Sequence, residues 1–95
     1  MAIGVIIDAP GGTQAQYDRV LADVGPHLPA DLLVHAAGPR EGGFVLVDVW
    51  ESQEALDRFL AQRLGPALRA AGWPTAVSRR VFPVRTLRGA AAPAR

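Results

Sequence analysis

The fold class this sequence predicts is a single α+β domain, one antiparallel four-stranded sheet under two helices in the order β-α-β-β-α-β. Three observations predict it. Short β-branched apolar runs recur at four places in the chain. Between the first and second runs, and again between the third and fourth, apolar residues follow a three- and four-residue period. Glycine or proline punctuates most junctions between these segments.

The first strand runs from Ala2 to Asp8, and Ala9-Pro10-Gly11-Gly12 supplies turn chemistry. Thr13 is placed to cap a first helix, which carries Tyr17, Val20, Leu21, Val24 and Leu28 on one face and stops at Gly25-Pro26. A second strand spans Asp31 to Ala37 and ends at Gly38-Pro39. Arg40-Glu41-Gly42-Gly43 makes a polar hairpin loop, and a third strand covers Phe44 to Trp50. Ser52 caps a second helix whose apolar positions are Leu56, Phe59, Leu60, Leu64, Ala67 and Leu68. Gly65-Pro66 predicts a break in it, because proline lacks the N–H and clashes one turn back, with a short last turn ending at Gly72. After Trp73-Pro74 the fourth strand runs from Thr75 to about Val84. This order is the ferredoxin-like split βαβ arrangement. The domain is expected over 1–86, with 87–95 as a disordered tail.

Strand alternation adds a partner. The third strand offers Phe44, Leu46 and Trp50 on one face and Val45, Val47 and Val49 on the other. The first opposes Ile3, Val5 and Ile7 to Gly4 and Ile6, and the second opposes Leu32, Val34 and Ala36 to Leu33 and Ala37. Two helices cover one face of such a sheet, so the second apolar face predicts a homodimer joined sheet to sheet.

Composition narrows the chemistry. Cysteine is absent, which removes disulfides, thiol catalysis and thiolate metal sites. All ten basic residues are arginine, so no lysine is present to form a Schiff base. A formal charge of +1 gives no bulk attraction to nucleic acid or to acidic membranes. The apolar N-terminal run lacks a basic flank and meets Asp8 too soon for a signal peptide, and no run is long enough to span a bilayer, so a cytoplasmic protein is expected. Metal-ligand spacing is missing among the histidines and carboxylates, and no metal is expected.

The segment Val47-Asp-Val-Trp-Glu-Ser-Gln-Glu-Ala-Leu-Asp-Arg-Phe59 resembles the hallmark segment of the antibiotic biosynthesis monooxygenase family, within the dimeric α/β-barrel superfamily. The resemblance implies a dimer of ferredoxin-like units with a small-molecule cavity between sheet and helices. It also implies activities that range from cofactor-free oxygenation of aromatic polyketides to haem degradation and isomerisation. The haem-degrading branch relies on an asparagine in the first strand, a tryptophan in the second helix and a histidine ten residues on. This chain has no asparagine, and Phe59 and Arg69 stand at the other two positions. Haem degradation is therefore not implied, and no cofactor is expected.

His35, set between Val34 and Ala36, is the main polar anomaly, and its pKa range suits a general base. The bland alternative is a neutral, hydrogen-bonded histidine in the core or at the dimer seam. Asp48 shares a face with Leu46 and Trp50 and is the second catalytic candidate, against an ion pair with Arg79 or Arg80 of the fourth strand, across the sheet or the dimer. Trp50, Tyr17, Phe59 and Trp73 are expected to line the pocket, or else simply to fill the core. Asp8 reads as a solvated strand end, and Ser52 as a cap rather than a nucleophile. An arginine among Arg79, Arg80, Arg85 and Arg88 reaching a substrate carboxylate or phenolate is a lesser reading beside edge-strand protection.

The expected function is binding and conversion of a small apolar or aromatic molecule, with cofactor-free monooxygenation leading. The alternatives are an isomerase or cyclase in the same pocket, and a non-catalytic ligand-binding or scaffold dimer.

Overall fold

A computed structural model describes residues 1–89. The tail predicted over 87–95 falls, from residue 90 onward, outside the described residues. The elements are β1 (Ile3–Pro10), α1 (Gln14–Val24), β2 (Leu32–Arg40), β3 (Gly43–Trp50), α2 (Gln53–Phe59), a π-helical turn (Leu60–Leu64), α3 (Gly65–Ala71) and β4 (Ser78–Pro83). The strands form one antiparallel sheet in the order β2-β3-β1-β4, the ferredoxin-like topology.

Local chemistry explains the ends. Thr13 and Gln16 form a reciprocal capping box at the start of α1, which Gly25 ends at φ 87°. Leu28, part of the predicted helical period, therefore lies beyond the helix in the following loop. Ser52 accepts from the Ala55 N–H at 3.1 Å and caps α2. Glu41-Gly42 is a two-residue turn between β2 and β3, with Gly42 at φ 79°.

Strand β1 runs on to Pro10 instead of ending at Asp8, β4 starts at Ser78 instead of Thr75, and three larger expectations change. Strand β2 continues through Gly38 and Pro39 to Arg40 instead of stopping at Ala37. Its place at the sheet edge accommodates a proline, whose missing N–H costs no ladder bond on the open side. The predicted break at Gly65-Pro66 is a π-turn instead. The Gly65 N–H donates to the Leu60 carbonyl and the helix continues into α3, so the wider turn absorbs the proline. The third change is in the alternation of β2. Leu32 pairs with Trp50 and Val34 with Val49, which leaves Leu33 as an extra, unpaired residue. This β-bulge separates Leu32 from Val34 and Ala36. Leu32 thus shares a face with His35 and Ala37, and the two valine- and alanine-bearing positions turn to the other side.

The main core lies between the inner sheet face and the helices, built on Ile3, Val5, Val20, Trp50, Leu56 and Phe59. A smaller cluster of Ala9, Phe44 and Trp73 closes one end. The outer face carries Ile6, Val47, Val49, Val34 and Phe82 with no element over it among the described residues, and Ile6, Val47 and Phe82 are all exposed. Among the described residues no helix is long and apolar enough to cross a membrane.

Candidate functional site

Register places the two polar residues of the inner face together. His35 on β2 stands directly opposite Asp48 on β3, and Val5 of β1 is the next residue across. Directly opposed residues share a face, so the hairpin register set at Glu41-Gly42 turns His35 toward the helices, and the bulge at Leu33 brings Leu32 back to the same side. From above, α1 lowers Tyr17 onto the pair.

These side chains form a continuous hydrogen-bonded line. His35 Nδ1 lies 2.6 Å from Asp48 Oδ1, His35 Nε2 lies 2.6 Å from the Tyr17 hydroxyl, and Trp50 Nε1 donates to Asp48 Oδ2 at 3.2 Å. A carboxylate only accepts, so Nδ1 carries the hydrogen. In neutral His35 the Nε2 lone pair then accepts the Tyr17 O–H. The hydrogen bond to Asp48 raises the His35 pKa, and its charge adds to this, while partial burial opposes both. The Tyr17 pKa is raised too, first by burial and then by the charges of Asp48 and Asp18.

Aromatic packing holds the line in place. Tyr17 stacks on Phe44 at 5.0 Å between ring centroids, and Trp73 meets Phe44 edge-on at 5.8 Å. Trp50, only 1% exposed, packs on Phe59 at 5.4 Å. The π-turn is tied to α1 by Arg63, which donates to the carbonyls of Val24 and His27.

Above this line is a cavity of about 610 Å³, walled mainly by aliphatic and aromatic side chains. Small-molecule pockets are of this size and character, apolar with a few convergent polar groups. All six predicted site residues border it: His35, Asp48, Tyr17, Trp50, Phe59 and Trp73. Arg69 of α3 and Arg79 of β4 border it as well, and Arg69 was not among the pocket residues expected from the sequence.

Within the chain Asp48 does not pair with Arg79 or Arg80. Arg80 lies opposite Ile6 on the outer face, while Arg79 lies opposite Ile7, with β1 between it and β3. Asp8 gains an ion pair with Arg40, at 2.6 and 2.9 Å, which lowers its pKa through the hydrogen bond. Tyr17 was legible as an aromatic facing the sheet, but its bond to His35 depends on how α1 packs over β2 and carries no sequence signal. Among the described residues no group of three or more histidines or carboxylates is placed to hold a metal ion.

No protein-family model matches the chain, and no curated protein matches it. Solved structures do. A protein of Chloroflexus aurantiacus J-10-fl, provisionally named an antibiotic biosynthesis monooxygenase, superposes with a TM-score of 0.71 at 16% identity, over 94% of this chain and 98% of that one. SnoaB from Streptomyces nogalater, described as a cofactor-independent oxygenase, gives 0.60 at 23% identity, over 90% and 94%. A dimeric ferredoxin-like protein of unknown function from Thermobifida fusca gives 0.62 at 18% identity, over 88% and 92%. The chain thus has the ferredoxin-like fold of structures bearing the name of the family that Val47–Phe59 resembles.

Proposed function

We propose that this protein is a homodimeric, cofactor-independent monooxygenase for a small aromatic, polyketide-like substrate. The observation that carries this reading is the Tyr17–His35–Asp48–Trp50 line on the wall of an otherwise apolar cavity. His35 takes a proton from the substrate, and Asp48 fixes the imidazole tautomer and stabilises the imidazolium. The apolar walls exclude water from the resulting anion. On an anthrone-type substrate that anion is delocalised over two aryl rings and itself reduces dioxygen. One oxygen atom replaces the two hydrogens of the reacting CH2 as a carbonyl, and the other leaves as water. The fold shared with SnoaB supports this choice over an isomerase or cyclase.

The dimer forms through the outer face, where apolar side chains have no cover among the described residues of the single chain. The dimeric Thermobifida fusca neighbour supports this. A monomer by light scattering at micromolar concentration overturns it.

Oxygen uptake with a panel of anthrones and hydroquinones tests the activity. Protein-dependent uptake that falls in His35→Ala, with the dimer intact, is the expected result. Uptake that is unchanged in His35→Ala removes the base. Absence of uptake with every compound, while an anthrone still quenches Trp50 or Trp73 fluorescence, removes the oxygenase.

A further inference from the structure

The imidazole of neutral His35 has no lone pair left to offer. Its Nδ1 hydrogen goes to Asp48, and its Nε2 lone pair is taken by Tyr17 at 2.6 Å. Tyr17 also borders the cavity, and its oxygen keeps acceptor capacity after donating. A proton leaving a ligand therefore meets the tyrosine oxygen on its way to the imidazole.

We propose that Tyr17 is the group that touches the ligand and relays its proton to His35, and that the ligand is a phenol or enol whose ionising oxygen seats on the Tyr17 hydroxyl. This deepens the reading given above and rests on it. In the step, the ligand O–H bond breaks and its electron pair stays on the ligand oxygen. The proton forms a new O–H bond on Tyr17 while the hydrogen formerly there moves to Nε2. His35 becomes an imidazolium facing the Asp48 carboxylate, and nothing is oxidised or reduced. The new Tyr17 O–H points back at the ligand oxyanion, and the tyrosine oxygen accepts from Nε2–H.

Because the two transfers are concerted, no tyrosinate forms, in keeping with a phenol whose own pKa is raised by burial. The charged groups near the relay are Asp18 on α1 and Asp48 on β3, with the guanidinium groups of Arg69 on α3 and Arg79 on β4 along the cavity. Neither arginine has an ion-pair partner among the described residues, so both favour an anionic ligand.

The test uses 4-nitrophenol, whose phenolate is visible by absorbance, and its non-ionising methyl ether 4-nitroanisole, with the full chain. Both bind, and the phenolate-to-phenol ratio of bound 4-nitrophenol rises about tenfold or more over the free dye, the effect of the imidazolium that forms directly behind Tyr17. Tyr17→Phe keeps the ring stacked on Phe44 and keeps 4-nitroanisole binding, but the ratio returns to that of the free dye. His35→Gln, which keeps the hydroxyl and removes the proton acceptor, loses the rise as well, and so tests the relay should Tyr17→Phe not fold. A full rise in either variant overturns the relay. A wild type that binds 4-nitroanisole without ionising 4-nitrophenol overturns the relay and leaves the pocket standing, whereas failure to bind either compound overturns both.

Discussion

Replacing Asp48 by asparagine probes the site at its most connected atom pair. The carboxylate accepts from His35 with one oxygen and from Trp50 with the other, and its side chain is only 14% exposed. Asparagine keeps the shape but offers one acceptor. If that oxygen stays with His35, the amide NH2 faces the Trp50 N–H, whose residue is 1% exposed. An orphaned buried donor costs about 1–3 kcal/mol, and exchanging a charged for a neutral acceptor opposite His35 costs about 1 kcal/mol more. The two parts separate by pH. Asp48 raises the His35 pKa above 6.5, so the charge-assisted part is fully present below pH 6.5 and is lost as pH rises through the raised value. Urea unfolding at one fixed protein concentration, below pH 6.5 and again in alkaline buffer, should give a stability loss of about 2–4 kcal/mol in acid. In alkali the loss should be smaller by about 1 kcal/mol. A loss that does not change with pH refutes the claim that the carboxylate holds the histidine's charge, and one that grows in alkali refutes its sign.

Three further outcomes are expected. Oxygen uptake should rise with pH through a midpoint above 6.5, since the base works neutral, and Asp48→Asn should move that midpoint down; a midpoint at or below 6.5 in the wild type contradicts the assignment. Gly65→Ala should lower the thermal midpoint, although alanine usually gains about 1 kcal/mol over glycine in a helix, because its Cβ would stand 2.8 Å from the Leu60 carbonyl oxygen. A higher midpoint would mean the π-turn is not held by that close approach. Val47→Glu, at an exposed position in the middle of the outer face, should give a folded monomer by light scattering, and a stable dimer would place the interface elsewhere.

Much of the fold was legible because it rests on local chemistry. Thr13, Ser52, Gly25 and Gly72 act within a turn of themselves, and the alternation of β3 is unbroken from Phe44 to Trp50. Asp48 could therefore be put on the face of Leu46 and Trp50 from spacing alone. Alternation counted from Leu32 puts His35 on the other face, because the phase of β2 changes at Leu33 and a leucine between a leucine and a valine gives no sign of being unpaired. It is the Glu41-Gly42 hairpin register that sets His35 opposite Asp48. Pro39 and Pro66 misled for a related reason. Each disfavours regular structure locally, yet the sheet edge tolerates one and the wider turn tolerates the other. The tyrosine's part in the site depends on contacts between α1 and β2, and no local pattern records those.

Both walls of the cavity thus contain a supernumerary residue, Leu33 in the sheet and one within Leu60–Leu64 in the helical layer. Residue count is therefore as much a determinant of this pocket as residue identity. Losing one residue between His35 and the Glu41-Gly42 turn would carry His35 through half a turn to the outer face, without altering any side chain of the Tyr17–Asp48–Trp50 remainder. Losing one in the π-turn would rotate α3 by about 100° relative to α2 and swing Arg69 away from its place on the cavity wall. A relative that keeps every site residue but is one residue shorter between His35 and the hairpin turn, or within the π-turn, would share this architecture and lack this site, so sequences compared with this one should be matched for length in both places before their chemistry is compared.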